Sequence, residues 1–297
     1  MSDATGVGPI QRDVLRVSGP DALSFLQGQL SQDIVGLAVG SSAWSLLLSP
    51  KGKVDAWMRV TRTAEDAVLI DTDPGVGAAI DTRLNRFKLR TDCVIESLDW
   101  SVVAVRGDDA ESLRASVTPP AVIAELEWPG EIGFDVLSPE PVAIGGSELS
   151  PGDLEQLRVS AGRPRAGAEI SAEAIPAEFG EDFVNRSVSF TKGCYVGQEL
   201  VARMASRGGS APKRMVRAHG SGAGPEVGAV IVFEEAEKGT ITSVARAGAP
   251  VGGNSGDGQP DPSGRSGWQA LAVVHRSVPV PAVIRVDGHE VHLEPIA

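Results

Sequence analysis

From Pro212 onward no run of apolar residues keeps a helical period. Met215–Ala218, Ala229–Phe233, Ile241–Val244, Ala270–Val274, Ala282–Val286 and Val291–Leu293 are short and separated by glycine-rich turns. A helix needs apolar positions three and four apart over several turns, so this part of the chain is confined to strands. Their spacing predicts a small all-β barrel or sandwich. Ala247–Gly267, rich in Gly, Pro, Ser, Asn and Asp, interrupts the pattern. It has too little apolar surface to order itself, which predicts a mobile hairpin tip. The chain is accordingly divided into a region 1–208 and a C-terminal β-barrel domain, 209–297.

The first region mixes two periods. Asp13–Val17 reads as a strand leading into a helix that Ser18 or Asp21 caps, with Leu23, Leu26 and Leu30 facing a core. Ala43–Leu48 and Val54–Thr61 read as strands joined through Ser49-Pro-Lys-Gly-Lys53. Val68–Asp71, Cys93–Ile95 and Ser101–Val105 add strands, and a helix runs from the turn at Asp73 to about Phe87. Pro151–Ala161 reads as a helix with Ser150 as cap and Gly162 as stop. Strands alternating with single helices indicate α+β sheets covered by helices.

Aromatic residues make up only 4% of the chain, so the core rests on Ala, Val, Leu and Ile. The net charge of −12 repels nucleic acid and anionic lipid. Within residues 201–220, however, Arg203, Arg207, Lys213, Arg214 and Arg217 stand with no acid, a strip that suits a small anionic ligand or a solvated face. Cys93 and Cys194 are too few for a disulfide framework and imply a reducing compartment. The first residues show neither a signal peptide nor an Arg-rich presequence, and no apolar run approaches the ~18 residues of a membrane helix. These features predict a cytoplasmic protein without membrane or direct nucleic-acid partners.

The most distinctive stretch is 188–199, Val-Ser-Phe-Thr-Lys-Gly-Cys-Tyr-Val-Gly-Gln-Glu, which holds one of two cysteines and the only tyrosine. Ser189 and Phe190 read as a strand end, Gly193 as a turn, and Gly197 onward as a helix. Cys194 then lies beside a helix N-terminus with Lys192 close by, and both features favour a thiolate. Tyr195 offers a flat face to a heterocycle. A lone Cys also serves as a small buried hydrophobe, and Cys93, in a strand pattern, is read that way. His219, His275, His289 and His292 belong to no nucleophile motif, and no His/Cys spacing suggests a metal.

The stretch 192–199 resembles the signature of the YgfZ family of folate-binding proteins. So do Arg158, Gly162-Arg-Pro164, Gly167-Ala-Glu169, Ile175-Pro176 and Glu178, as well as Phe25-Leu-Gln-Gly-Gln-Leu-Ser-Gln-Asp33 and Pro50-Lys-Gly-Lys53. The resemblance implies the fold of the aminomethyltransferase (T-protein) of the glycine cleavage system. That fold has two interlocked α/β units plus a C-terminal barrel around a channel that binds tetrahydrofolate or a derivative. It also implies a role in iron–sulfur cluster assembly or repair, a link to tRNA thiolation, and iron–sulfur proteins or cluster-assembly factors as partners. Gly133-Phe-Asp-Val136 resembles the strand whose acid holds the pterin, so Asp135 is the expected pterin ligand, with Tyr195 or Phe134 stacking on the ring. Arg203 and Arg207 would meet the glutamate tail. Lys192, Gln198 and Glu199 read equally as ligands or as framework.

The departures are informative. Cys194 stands where T-proteins tend to carry Asp. Asp55 is the single acid where they tend to carry a pair, and Asp153–Arg158 lacks an Arg of the transferase. Glycine cleavage is therefore disfavoured. The leading expectation is a folate-binding accessory protein for iron–sulfur enzymes acting through Cys194. The alternatives are a folate-dependent one-carbon transferase using Asp55 or Cys194, and a scaffold that has lost its ligand.

Overall fold

The computed structural model describes residues 5–207, 211–246 and 267–296; the tip expected at 247–267 therefore lies, but for Gly267, outside the described residues. The elements run β1 (Gly6–Ile10), β2 (Asp13–Ser18), α1 (Ala22–Gln29), β3 (Ser42–Leu48), β4 (Val54–Ala64), β5 (Ala67–Thr72), α2 (Gly77–Phe87), β6 (Val94–Leu98) and β7 (Ser101–Arg106). They continue with α3 (Ala110–Leu113), β8 (Val122–Glu125), β9 (Gly133–Ser138), β10 (Ser147–Glu148), α4 (Pro151–Ser160), α5 (Glu181–Ser187) and α6 (Gln198–Arg207). The C-terminal strands are β11 (Lys213–Ser221), β12 (Val230–Phe233), β13 (Ala236–Arg246), β14 (Gly267–His275), β15 (Ala282–Val286) and β16 (His289–Pro295).

Three sheets result. One has the order β3-β4-β5-β2-β6, the second β10-β1-β7-β9-β8, and the third, nearly closed and barrel-like, β12-β13-β14-β11-β16-β15. The first two interlock: β1 and β2 are separated by two residues, yet β1 pairs with β7 in one sheet and β2 with β5 in the other. The α+β class, the interlocked units and the C-terminal barrel all stand as expected. Among the described residues no helix is long and apolar enough to cross a membrane.

Local chemistry accounts for most boundaries. Ser150 accepts from the Asp153 amide while the Asp153 carboxylate accepts from the Ser150 amide, a reciprocal cap that starts α4. Asp21 heads α1 without capping it, because its carboxylate accepts the Asp92 amide at 2.9 Å instead. Leu26 and Leu30 are fully buried as the periodicity predicts, together with Phe25, whereas Leu23 packs only at the edge. Cys93 is buried in that same core. It lies just before β6, which begins one residue later than the expected strand.

The scarce aromatics are concentrated. Trp44 stacks on Trp57 at 4.2 Å, Trp128 meets both edge-on, and Phe183 and Phe179 continue the cluster. Each indole N–H of the three donates: Trp44 to Leu126 O, Trp57 to Ser187 Oγ and Trp128 to Ala161 O.

Beside this cluster runs a buried ionic ladder. Arg12 binds Asp71 (2.7 Å) and Asp73 (2.9 Å), and Arg59 binds Asp71 through two hydrogen bonds and lies 2.8 Å from Asp135. Arg106 contacts Asp135 at 2.7 Å and Glu131 at 2.9 Å, and Arg163 closes the series on Glu131. Burial pushes the Asp135 carboxyl up, but Arg106 and Arg59 more than offset it and hold it well below the usual range. Glu131 is likewise lowered against burial, by Arg163 and Arg106. Both acids thus titrate lower in the folded chain than in the unfolded one. The stability they contribute is present above about pH 4 and is lost as pH falls below it. Asp135→Ala leaves two buried guanidiniums without their shared partner and is expected to cost ~3–5 kcal/mol in urea unfolding at pH 7. A loss under 1 kcal/mol would contradict the ladder's role.

Candidate functional site

Two segments far apart in sequence converge on the chain around residues 186–200. Ser31 Oγ donates to Ser187 O at 2.6 Å, the Ser189 amide donates to Ser31 O, and Gln32 Nε2 donates to Arg186 O. The turn 49–53 closes on the other side. Gly197 has φ +83°, and a Cβ there would fall 2.5 Å from Ser49 O and 2.7 Å from Leu48 Cβ. Gly52, at φ +75°, approaches Leu200 as closely. Only glycine meets both demands, a left-handed backbone and contact without a side chain.

Held this way, Cys194 is exposed and Tyr195 half-buried. The Tyr195 amide donates to Gln198 Oε1 at 3.1 Å, which makes Gln198 a brace for the start of α6. Burial pushes the Tyr195 phenol up to about 12. Glu199 and Arg203 are exposed, while the side chain of Arg207 lies outside the described residues.

Several expectations change. Ser189 and Phe190 do not end a strand. Gly180, at φ +92°, instead opens α5, whose Phe183 is drawn into the tryptophan cluster, and the chain turns out of that helix. Lys192 does not turn its ammonium to the thiol, because Nζ donates to the carbonyls of Gln27, Leu30 and Gln32. Asp135 is 3% exposed with both oxygens against guanidiniums, and Phe134 is 1% exposed in the core under Arg114. Asp135 is thus engaged by two arginines and Phe134 by the core, and neither side chain is open to solvent. Asp55 is exposed 3.8 Å from Arg83, and burial raises its carboxyl while Arg83 opposes.

A group the sequence reasoning left without a role is Glu178. It is 7% exposed, and no hydrogen bond or ion pair to its carboxylate exists among the described residues. Burial pushes it up while Lys213 pulls it down. It lines a cavity of about 730 Å³ between the 168–178 segment and the barrel, together with Lys213, Lys238, Thr240 and His275. The rim carries Glu173, paired with Lys53 of the turn beneath α6. Pattern could not reveal this acid, because Pro176–Phe179 is a 3₁₀ turn whose burial depends on the distant barrel. No group of three or more His, Cys, Asp or Glu side chains forms a metal site among the described residues.

No protein-family model matches the chain. It is 28% identical over 198 residues to an uncharacterized protein of Haemophilus influenzae, covering 67% of this chain and 68% of that protein. It is 29% identical over 211 residues to the tRNA-modifying protein YgfZ of Pectobacterium carotovorum, covering 64% and 63%. It is 28% identical over 214 residues to the human mitochondrial iron-sulfur cluster assembly factor IBA57, covering 65% and 60%. The chain thus spans less than two thirds of the YgfZ and IBA57 proteins named here. Its structure matches the glycine cleavage system aminomethyltransferase T of Bartonella henselae with TM-score 0.74 and 17% identity, over 99% of this chain and 85% of that one. The likeness to YgfZ-type proteins and the T-protein fold, both read from the motifs, are borne out.

Because Gly197 fits only without a Cβ, Gly197→Ala is expected to cost about 1–3 kcal/mol from backbone strain alone. It should also speed alkylation of Cys194 by iodoacetamide several-fold as the turn 49–53 is pushed away. Wild-type stability and an unchanged alkylation rate would show that the close approach does not hold the thiol.

Proposed function

We propose that this chain is an accessory protein for iron–sulfur cluster assembly or repair that works through Cys194, with tetrahydrofolate or a derivative bound in the cavity at the barrel seam. One observation carries the reading: two separate segments, residues 31–32 and the turn 49–53, brace the loop that presents one exposed thiol. Iron–sulfur clusters take four ligands as a rule, so a single thiol contributes to a cluster only in company with a partner protein. The IBA57 relative is named for iron-sulfur cluster assembly, whereas the YgfZ relative is named for tRNA modification. The net charge of −12 works against tRNA binding outside the short basic strip at 203–217, so a protein client fits better than RNA.

Within the seam cavity, the carboxyl of Glu178, without a hydrogen bond among the described residues, fits the amino and ring N–H donors of a pterin. Lys213 and Lys238 fit the carboxylates of the glutamate tail. Asp135 has no part in this, since Arg59 and Arg106 hold it. Bound there, tetrahydrofolate would supply reduced-pterin or one-carbon chemistry. The chain's own residues would orient the ring through Glu178 and anchor the tail through the two lysines.

In cells lacking the native protein, Cys194→Ser is expected to leave iron–sulfur enzyme activities at the null level, while Cys93→Ser, buried in the core, restores them. Full restoration by Cys194→Ser would end the thiol role. Anaerobic calorimetry should give saturable one-to-one binding of tetrahydrofolate, weakened at least ~10-fold by Glu178→Gln through loss of a buried charged hydrogen bond. Equal affinities for the two proteins would remove Glu178 from the site.

A further inference from the structure

The last carbonyls of any helix lack partners inside it. At the end of α1 the amide of Leu30 returns to Leu26 O, and that of Ser31 turns away to Leu46 O. Gln27 O and Leu30 O are then left at the negative end of the helix, with Gln32 O just beyond. All three point at one atom, Nζ of Lys192, with the Gln32 contact at 3.1 Å. An ammonium has three protons and no acceptor, so three carbonyls satisfy it completely. The same nitrogen lies 5.0 Å from the centre of the Tyr195 ring, within cation–π range.

We propose that Lys192 is a positioning residue for Cys194. It caps the C-terminal end of α1 from 160 residues away and so fixes the segment that carries the thiol and Tyr195. The spacing explains how. Lys192 and Tyr195 flank Gly193 and Cys194, so anchoring Lys192 to α1 and seating Tyr195 beneath its ammonium leaves the two intervening residues with little freedom. Gln27 makes the receiving end rigid. Its side chain donates to Asp33 and accepts the amides of Ile34 and Val35, which locks the loop after α1.

Of the charged groups near the ammonium, Asp33 favours its charge while burial opposes it and brings it down to about 8. A neutral amine still donates two protons. The latch therefore does not open as pH rises through that value, and its behaviour depends on the donor set more than on the charge. The functional meaning of this device rests on Cys194 being the working thiol; its structural content does not.

Tyr195 is the only tyrosine in the chain, so tyrosinate absorbance reports this loop alone. In the full-length protein the phenol should titrate near 12. In Lys192→Met it is expected to fall toward the ordinary value of about 10, and alkylation of Cys194 at neutral pH should rise several-fold. Lys192→Arg, which can donate to the same carbonyls, should keep the alkylation rate near wild type. Tryptophan fluorescence across the same pH range separates local release from unfolding. If Lys192→Met does not fold, Lys192→Gln, whose shorter side chain carries donors but cannot reach all three carbonyls, is expected to give intermediate values. An unshifted phenol and an unchanged alkylation rate in the folded Met or Gln variant would overturn the proposal, as would alkylation in Lys192→Arg as fast as in Lys192→Met. Loss of the thiol role in cells with both shifts intact would remove the functional reading and leave the latch.

Discussion

Four guanidiniums and four carboxylates alternate through the middle of the molecule, from Asp73 to Arg163, with every member of the central stretch nearly inaccessible to water. Such a series is expensive to bury and has little net value as a source of stability. Its effect is on uniqueness. Arg59 on β4 must meet Asp71 on β5 and Asp135 on β9 at once, and Arg106 on β7 must meet Asp135 and Glu131. A slip of either sheet by one residue would strand a charge in the core, so the ladder permits one registration of the two interlocked units. The tryptophan cluster beside it fills space but is less selective, since apolar contacts tolerate small shifts.

The functional loop depends on that registration. The carbonyls that receive Lys192 follow a helix laid on one sheet. The turn 49–53 that receives Gly197 joins β3 to β4 of the same sheet. The cavity containing Glu178 is closed on its far side by the barrel. A thiol presented at a fixed height above these supports owes its position to contacts made elsewhere, chiefly by backbone carbonyls and by glycines that leave no side chain in the way.

Much of this was legible in the residues. The lost helical period after Pro212 gave the barrel, Ser150 gave the start of α4, and the density of unusual residues around Cys194 marked the loop. What escaped depended on partners that sequence spacing does not encode. Asp135 sits in a strand whose pattern shows only that a polar residue lies among apolar ones. The pattern does not say whether a ligand or two arginines satisfy it. Lys192 lies two residues from a cysteine, yet its partners are residues 27 to 32. Glu178 reads as a turn residue until the barrel covers it.

The crossing of β1 and β2 into different sheets also governs how the chain is made. β1 comprises residues 6–10, but its partners β7 and β10 begin at residues 101 and 147. At about 5–20 residues per second of synthesis, the first strand waits roughly 5–20 s for its antiparallel neighbour. The second sheet cannot be completed by any N-terminal fragment that ends before residue 101. Throughout that interval β1 has neither of the partners it pairs with in the folded chain, and its backbone donors and acceptors are left to the solvent.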